Sequence, residues 1–406
     1  MAEPEGTARS GTTEGLRRAN TARVLRCLRD DGTATRVEIA ARTGLSKATV
    51  GVIVTALEEA AVVAPATATA VPSAGSTPAR GRPGRPVALD GAGHVGIGLE
   101  LNVDYVAASV VDLAGRERLS LTRPVAPGAG LAALARLAAD VHGVVGRDRG
   151  AAVVGATVAL PGLVRSDEQQ VAWTPNLRLP AGEPAATVSR ALGPGVAVRV
   201  GNDADCAARA EWRHGAAQQV DHALYLTGTV GIGAGILHGG RPLRGGAGFA
   251  GEVGHLPLAA PDARCGCGRL GCWEAAVGLH AMLAAVAMPE LATPLSSAQA
   301  VVERARTDAG VRAGLAEVGR SLGTGLGVLV NVLDPDVVVL GGYFAVLGDH
   351  VLAPARERLD ATLASPVQVR PELRPGRLGI TAAALGAAER SLEPVFDGTQ
   401  ALAVPL

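Results

Sequence analysis

The amino-acid sequence predicts a mixed α/β protein with a small helical N-terminal domain and a large domain of two related lobes. Apolar residues in the N-terminal segment recur at helical spacing. From His94 onward, runs of short strands are followed by helical segments, and this order occurs twice, as in α/β proteins built from two similar halves. The length of 406 residues also exceeds one ordinary core and fits two or three domains.

The composition narrows the class of protein. Hydrophobic residues make up 48% of the chain and the formal net charge is zero, which argues against a surface coated in basic charge but leaves room for a local basic patch. No apolar run reaches the length of a membrane span, and the polar N-terminus lacks the apolar core of a signal peptide. We therefore expect a cytoplasmic protein without a membrane partner, in which clustered cysteines indicate a metal more often than a disulfide.

The N-terminal segment has the pattern of a helix-turn-helix. Residues 1–14 are polar and are expected to be disordered, and a helix follows them. Thr35 and Glu38 form a capping-box pattern at the start of a second helix, which ends near Gly44. Ser46 is placed to cap a third helix. The third helix has one apolar stripe, made of Val50, Ile53, Val54 and Leu57.

A strand pair after the third helix predicts a wing. The segments "AAVVAP" and "RPVALD" have the character of strands, and residues 64–86 form the wing and linker. Residues 15–90 are thus predicted to be a winged helix-turn-helix domain that places its third helix in a DNA major groove. The alternative is a small helical bundle followed by a plain linker with incidental arginines.

Three sets of side chains are the candidate DNA contacts of this domain. Phosphate contacts are expected from basic residues beside the turn, base contacts from polar residues off the apolar stripe of the third helix, and minor-groove contacts from the wing tip. In that order, the residues are Arg36 and Arg42; Ser46, Lys47, Thr49 and Thr55; and Arg80, Arg82 and Arg85.

The large domain repeats one order of elements. "HVGIGLEL", "YVAASVVDL" and "RERLSLTRPV" have the pattern of three alternating strands, and a helix over Leu131 to Val145 and a strand "AAVVGATVAL" follow. The order restarts in "GVAVRVGNDADCAARAEW", which predicts strand, loop and helix. We place the first lobe at residues 92–200 together with about 375–395, and the second at 201–374. A ligand is expected in the cleft between the lobes.

Several motifs of the large domain resemble the ROK family of repressors and sugar kinases. They are "GNDADCAARAE", "GIGAGI", "GFAGEVGH", "CGCGRLGCWE" and "NVLDPDVVVLGG". The segment "GLSKATV" followed by "GRPGRP" is similar to the DNA-binding domain of the repressor branch. The resemblance implies a two-lobed actin-like domain of the ribonuclease H and sugar-kinase type. It also implies a homo-oligomer, either a dimer or a dimer of dimers.

Three cysteines and a histidine offer a complete set of metal ligands. His255, Cys265, Cys267 and Cys272 supply one imidazole and three thiols, which match a four-coordinate zinc site. Since no position remains open for water, the zinc is expected to be structural rather than catalytic. The competing interpretation is a redox disulfide, although a single residue between Cys265 and Cys267 would strain it.

The resemblance also implies a set of sugar contacts. Carboxylates and amides donate to and accept from vicinal hydroxyls in pairs, which suits a sugar. The implied contacts are Asn202, Asp203, Glu252, His255, Glu274 and Asn176, with Gly162 as a weaker candidate. Taken singly, each acidic residue is equally well a helix cap or a surface charge.

The same resemblance leaves two activities to be distinguished. In the kinase branch, Asp203 matches the base that takes the proton of the sugar hydroxyl. The phosphate loop of that branch corresponds to "ELNVDY", where Glu100, Asn102 and Asp104 stand in place of Asp, Gly and Thr. An added carboxylate repels a triphosphate. In the second loop, Val230 stands where kinases carry a hydroxyl.

These observations predict a transcriptional regulator that responds to a sugar and is not an enzyme. The expected role is a repressor of carbohydrate uptake and metabolism genes, with operator DNA and a small sugar or sugar phosphate as partners, located at the nucleoid. One alternative is an active sugar kinase, with Asp203 as its base, fused to a DNA-binding domain. Another is a repressor that needs no small ligand and acts through a protein partner.

Overall fold

The computed structural model describes residues 13–402 except for 67–83, 127, 148–150, 175, 178, 181, 230 and 364–367. Residues 1–12 of the segment predicted to be disordered lie outside this part of the chain, as do Arg80, Arg82 and Val230. The described residues form an N-terminal helical domain with a small sheet, followed by two five-stranded sheets.

The N-terminal domain has the predicted winged helix-turn-helix arrangement. Thr35 accepts a hydrogen bond from the amide of Glu38, whose carboxylate accepts one from the amide of Thr35, so the predicted capping box is present. Gly44 ends its helix in the left-handed region at φ 71°. The elements are α1 Thr13–Asp31, β1 Ala34–Thr35, α2 Arg36–Thr43, α3 Lys47–Glu59, β2 Val63–Pro65 and β3 Pro86–Leu89.

The wing and the buried stripe of α3 also agree with the prediction. Strand β3 pairs antiparallel with both β1 and β2, which makes a three-stranded sheet beside the helices. The four apolar residues of the predicted stripe on α3 are buried, and they face the helices α1 and α2. Arg85 is exposed at the start of β3.

The first large sheet has the strand order β10-β7-β4-β5-β6. Strands β6, β5 and β4 form an antiparallel meander, and β7 and β10 add to it in parallel. The elements are β4 His94–Leu101, β5 Tyr105–Asp112, β6 Glu117–Pro124, α4 Gly130–Arg147, β7 Ala152–Leu160, β8 Leu163–Val164, β9 Val171–Trp173, α5 Glu183–Leu192 and β10 Val198–Asn202.

The second large sheet has the order β13-β12-β11-β14-β15. The helices that follow β10 and accompany this sheet are α6 Asp203–His214, α7 Glu274–Val277, α8 Leu279–Ala285, α9 Pro294–Ala305, α10 Ala309–Leu333, α11 Tyr343–Leu347 and α12 Asp349–Asp360. The C-terminal helix, α13 Ala382–Asp397, returns to the first sheet. The strands of the second sheet are β11 Ala223–Gly228, β12 Ile232–His238, β13 Arg241–Pro242, β14 Val337–Gly342 and β15 Glu372–Pro375. Two short 3-10 helices cover Val253–His255 and Gly379–Thr381.

The two sheets share one topology. In each, a three-stranded antiparallel meander is extended on its first strand by two parallel strands. This repeat confirms the predicted α/β architecture of two related lobes.

Two local predictions were wrong. Strand β4 does not alternate between buried and exposed residues, because α4 covers one face and α13 the other, and every residue of β4 is buried. No loop separates β10 from α6. The side chain of Asn202 accepts a hydrogen bond from the amide of Asp205 at 3.0 Å, so the strand ends directly in a capped helix.

Helices α6 and α13 pack against each other between the two sheets. Helix α6 lies on β11 and β12, whereas α13 lies on β4, β5 and β7. The approach is close: a Cβ atom at Gly386 of α13 would lie 1.7 Å from the carbonyl oxygen of Cys206 in α6. On the other face of α13, a Cβ at Gly98 of β4 would lie 1.9 Å from the carbonyl oxygen of Ala384. Only residues without side chains fit at these two positions.

We predict that Gly386→Ala lowers the free energy of unfolding by at least about 3 kcal/mol, since neither helix backbone can yield to the added methyl group. The matched control is Gly146→Ala on α4, where a Cβ would meet nothing within 4 Å. Because Ala favours helix over Gly, this control should gain about 0.5–1 kcal/mol. Urea unfolding of both variants measures the difference; equal stability of the two would contradict the close packing of α6 and α13.

Candidate functional site

A cleft between the two lobes collects polar side chains from separate parts of the chain. Its floor is formed by the start of α6, and its walls by segments before β8, after β9 and around β12. All of the residues predicted as sugar contacts line this one cleft, namely Asn176, Asn202, Asp203, Glu252, His255 and Glu274, together with Gly162. The structure thus brings together residues that are far apart in the sequence, from Gly162 to Glu274.

Asp203 and Asn202 play different parts at the start of α6. Asp203 is the first helical residue and is buried, with Oδ1 accepting a hydrogen bond from the amide of Ala204 at 2.9 Å. Burial raises the pKa of Asp203 to about 6. Asn202 caps α6 with its side-chain oxygen and donates from Nδ2 to the carbonyl of Gly162 at 3.0 Å. Asn202 therefore mainly holds the cleft wall in place, with one amide hydrogen left for a ligand.

Two glutamates, Glu252 and Glu274, line the cleft beside the cysteine cluster. Glu274 accepts a hydrogen bond from the amide of Ile232 at 3.0 Å. Gly231 makes room for this carboxylate, since a Cβ there would lie 2.6 Å from Glu274 Oε2. Burial raises the pKa of Glu252 to about 7, helped by the charges of Asp203, Asp205 and Glu274. The cleft is therefore acidic and rich in acceptors for hydroxyl groups.

The predicted metal ligands converge on one point. One ligand atom from each of His255, Cys265, Cys267 and Cys272 lies within 4.8 Å of all the others. The sulfur atoms of Cys267 and Cys272 are 3.8 Å apart, far longer than the ~2.05 Å of a disulfide. Two thiolates bound to one ion at ~2.3 Å in a tetrahedron are separated by about this distance. The cluster can therefore hold a metal ion, and its spacing disagrees with the redox interpretation.

Each ring nitrogen of His255 has a neighbour that orients the ring. Nδ1 of His255 lies 3.9 Å from the sulfur of Cys265, and Nε2 lies 3.9 Å from the carboxylate of Glu252. Glu274 Oε1 is 3.2 Å from the same sulfur of Cys265. His255 belongs to the cluster and Glu274 contacts Cys265, so one side of the cluster borders the cleft. A metal held by the cluster would therefore fix the positions of His255 and Glu274.

Short backbone contacts and a buried tryptophan support the cysteine loop. The amide of Cys265 donates to the carbonyl of Arg269 at 3.0 Å, and Gly268 adopts φ 89°, a left-handed value that permits the tight turn. Trp273 is fully buried, and its indole NH donates to the carbonyl of Ser321 in α10 at 3.0 Å. The loop is therefore anchored to the core of the second lobe.

The structure places the predicted DNA contacts around the exposed end of α3. Lys47 and Thr55 are exposed, whereas Ser46 caps the helix and hydrogen-bonds Thr49. Arg36 and Arg42 already have acidic partners in the domain, Glu58 at 2.8 Å and Asp31 at 3.5 Å respectively. A phosphate contact by either arginine would compete with, or add to, its ion pair.

One candidate on α3 was missed. Val52 is 66% exposed and lies on the same face as Thr49 and Thr55. An apolar side chain there can contact the methyl group of thymine in a major groove. The only sequence signal was its position off the buried stripe.

A partly buried ion-pair network joins the N-terminal domain to α6 and α13, and nothing in the sequence pattern predicted it. In α1, Arg29 pairs with Glu393 at 2.8 Å and lies over the ring of Phe396 at 4.3 Å. At the C-terminal end of α6, Arg209 also pairs with Glu393, and Arg213 pairs with Asp30 of α1 at 3.2 Å. The same two parts of the protein also share one hydrophobic core, which extends from the DNA-binding helices into α13.

Glu389 of α13 lies at the centre of this network. Its carboxylate accepts a hydrogen bond from His214 at 2.8 Å and lies 3.8 Å from the guanidinium of Arg213. Burial acts to raise the pKa of Glu389, but His214, Arg213 and Arg209 outweigh burial and lower the pKa to about 2. Glu389 is therefore ionised in the folded protein at any physiological pH.

Comparisons with known proteins agree with both parts of the architecture. The sequence model of the ROK family matches residues 97–392. The chain belongs to the ROK family. The model of winged helix-turn-helix DNA-binding domains matches residues 17–63, ahead of the ROK domain. The predicted combination of a ROK domain with a DNA-binding domain is confirmed.

Curated relatives of this ROK protein include both regulators and kinases. The xylose repressor of Bacillus subtilis is 26% identical over 385 residues, which cover 94% of this chain and 97% of the repressor. The glucokinase of Streptomyces coelicolor is 30% identical over 319 residues, which cover 73% of this chain and 98% of the kinase. The kinase match therefore leaves about a quarter of this chain without a counterpart.

A solved structure shares the whole fold. The crystal structure of a ROK family transcriptional regulator homologous to the E. coli MLC protein has a TM-score of 0.77 and 23% sequence identity. The match covers 95% of this chain and 98% of that chain. None of the described helices is long and apolar enough to cross a membrane.

We predict that the purified ROK protein carries about one tightly bound divalent metal ion per chain and that Cys267→Ser removes it, since three ligands hold such an ion far more weakly than four. Elemental analysis after dialysis against a weak chelator measures the metal. The matched control is Cys27→Ser, which changes a buried free thiol in α1 and should keep the metal. Retention of metal by Cys267→Ser at the wild-type level would contradict the assigned cluster.

We predict that Glu389→Gln lowers the free energy of unfolding at pH 7 by about 3 kcal/mol, because Arg213 and Arg209 lose a buried counter-charge. The folded-state pKa lies below the ordinary value of 4.5, so this stabilisation is complete above that pH and is lost as the pH falls towards 2. Urea unfolding at pH 7 and pH 3 should therefore show variant and wild type converging in acid. Glu303→Gln on the exposed end of α9 serves as control; a deficit of Glu389→Gln that is independent of pH would contradict this role.

Proposed function

We propose that this ROK protein is a sugar-responsive, DNA-binding transcriptional regulator that represses genes of carbohydrate uptake and metabolism. The observation that carries the proposal is that one helix, α6, begins in the polar cleft and ends in the ion-pair network of the DNA-binding domain. The similarity to a xylose repressor along nearly the whole chain supports it. Operator DNA and a small sugar or sugar phosphate are its partners, and it acts in the cytoplasm at the nucleoid.

The domain assignment follows from this role. Residues 15–90 form the DNA-binding unit, residues 92–200 with about 375–395 form the first lobe, and residues 201–374 form the second. The protein acts as a homo-oligomer, a dimer or a dimer of dimers, since paired recognition helices read two half-sites of an operator.

A sugar in the cleft would be held mainly through its hydroxyl groups. Asp203, Glu252 and Glu274 accept from hydroxyls, and Asn176 with the remaining hydrogen of Asn202 donates to them. Nε2 of His255 contacts a hydroxyl while Nδ1 faces the metal cluster. The acidic walls favour a neutral sugar over a phosphorylated one, because a phosphate group would meet like charge.

The metal held by His255, Cys265, Cys267 and Cys272 is zinc in this proposal. Three thiolates and one imidazole are the ligands zinc prefers, and four of them close its coordination shell. Zinc so bound supplies structure and no chemistry. It fixes the loop that carries Glu274 and His255 and thus sets the shape of the sugar cleft.

The DNA-binding domain reads its operator through the exposed end of α3. Lys47, with Ser46 and Thr49, approaches base edges at the helix start, while Val52 and Thr55 extend the contact along the groove. Arg36 and Arg42 contact phosphates beside the groove, and Arg80, Arg82 and Arg85 contact the minor groove.

Coupling between sugar and operator runs along α6. A sugar that contacts Asp203 acts on the first turn of α6, and Arg209 and Arg213 at the other end contact Glu393 and Asp30. A lobe movement that favours the sugar-bound cleft therefore carries α1 with it. In a dimer this changes the spacing of the two recognition helices, which shifts the equilibrium between operator-bound and free protein.

The second candidate function is a sugar kinase with Asp203 as its base, favoured by the 30% identity to a glucokinase. Asp203 is buried with a raised pKa of about 6, which suits a base. The phosphate side argues against this function, because Glu100 and Asp104 place carboxylates where a nucleotide triphosphate would lie.

We predict that one sugar from a panel of pentoses, hexoses and N-acetylhexosamines binds the protein in calorimetry and changes operator affinity at least about 10-fold in a mobility shift. Glu252→Ala should abolish the sugar response and leave sugar-free operator binding unchanged. Glu303→Ala is the control that keeps both.

Each alternative predicts a different result. Operator binding that is indifferent to the whole panel, with regulation intact in Glu252→Ala, would favour a repressor that acts through a protein partner. Sugar-dependent ATP turnover that is lost in Asp203→Asn would establish the kinase.

A further inference from the structure

A second cleft lies on the other side of Asp203 from the polar cleft. The two clefts share Asp203, Thr227 and Thr229 as a common wall. The second cleft is bordered by β4, β5, β11, the start of α9 and the start of α13. Most of its remaining lining is apolar, including Pro124, Tyr225, Leu295, Tyr343 and Ile380. None of the described lining residues is a lysine, arginine or histidine.

One end of this cleft holds a buried carboxyl group with a free oxygen. Glu100 in β4 is 2% exposed. Its Oε1 accepts hydrogen bonds from the hydroxyl of Tyr105 at 2.5 Å and from Nδ2 of Asn102 at 3.4 Å, whereas its Oε2 has no partner among the residues that the structure describes. A buried polar atom without a partner is costly and usually marks a place where something else binds. Since Glu100 lines the cleft, that partner would come from a ligand.

The charges around the cleft are all of one sign. Burial raises the pKa of Glu100 to about 8; the hydrogen bonds from Tyr105 and Asn102 oppose this shift, and the charges of Asp203 and Asp104 add to it. Burial also raises the pKa of Asp104, which lines the cleft. The other ionisable groups among the described lining residues are the phenols of Tyr105, Tyr225 and Tyr343, which stay neutral because their pKa values are raised. An anionic ligand such as ATP would therefore find no positive side chain and would be repelled by Asp104 and Asp203, whereas a cation would be attracted by them and could replace the proton of Glu100.

The geometry favours an organic cation over a metal ion. Among the described residues, the cysteine cluster is the only group of three or more ligand side chains close enough to share one ion. Glu100, Asp104 and Asp203 are therefore too far apart to hold a metal together, and a metal ion gains nothing from apolar walls. A ligand with one charged group and an apolar body matches both ends of the cleft.

We propose that this cleft binds an organic ammonium ion, with the ammonium group paired to Glu100 Oε2 and an apolar body against Tyr225, Tyr343 and Ile380. This cleft would then be a second ligand site, separate from the polar cleft. It would prefer a cation, whereas a nucleotide site prefers an anion. The cleft lies against the starts of both α6 and α13, so its occupant contacts α6, as the sugar does, and also contacts α13.

Calorimetry on the full-length protein with 4-phenylbutylamine, 4-phenylbutanol and MgATP tests this proposal. The amine should bind at least about 10-fold more tightly than the alcohol, and MgATP should not bind. Because Glu100 is largely protonated at pH 7, amine binding should release close to one proton, which the heat measured in buffers of different ionisation enthalpy reports. Amine affinity should rise between pH 7 and pH 8.5.

Variants assign the effect to Glu100. Glu100→Gln should reduce amine affinity to that of the alcohol and abolish proton release, while Glu303→Gln should change neither. If Glu100→Gln does not fold, the proton release by the wild type and a weaker amine response in Asp104→Asn carry the test. Equal binding of amine and alcohol, amine binding without proton release, no amine binding at millimolar concentration, or competition by MgATP would each overturn the proposal.

Discussion

The close contact between α6 and α13 is the constraint on which the rest of the structure depends. Gly386 lets the two helices meet at backbone distance, and each helix then covers one of the two sheets. Because the pair is packed on both sides, neither helix can shift alone without opening a gap or creating a clash. A change at the first turn of α6 must therefore be shared with α13 and with the DNA-binding helices that pack on it.

The cluster of His255 and three cysteines imposes a second, local constraint. The second lobe contributes the loop from Glu252 to Glu274, which has few regular elements to hold it. Four converging ligand side chains and the buried Trp273 replace the missing secondary structure. These contacts hold the loop in one conformation, so Glu252 and Glu274 can lie beside the start of α6. In the proposed function, the cysteines contribute to the cleft through their position rather than through reactivity.

Local signals in the sequence predicted much of this structure. Three features depend on residues that are close in sequence: the Thr35 and Glu38 capping box, the stripe on α3 and the spacing of the cysteines. Their patterns can therefore be recognised in the sequence alone. The family motifs also indicated which residues meet in the polar cleft. The network of Arg29, Glu389 and Glu393 could not be predicted, because its members come from opposite ends of the chain and meet only through packing. The same holds for Glu100, whose burial depends on helices far away in sequence.

Asp203 links the two clefts electrostatically, whatever occupies them. It lies in their shared wall, is buried, and has a pKa of about 6. Its charge contributes to the raised pKa of Glu100 in the second cleft. A ligand that neutralises Asp203 from the polar side therefore makes Glu100 easier to ionise, and an ionised Glu100 in turn disfavours the charged form of Asp203. Coupling of this kind is reciprocal by thermodynamic necessity. An aspartate in a position suited to phosphoryl transfer would then serve a regulator as the point where two binding events influence each other.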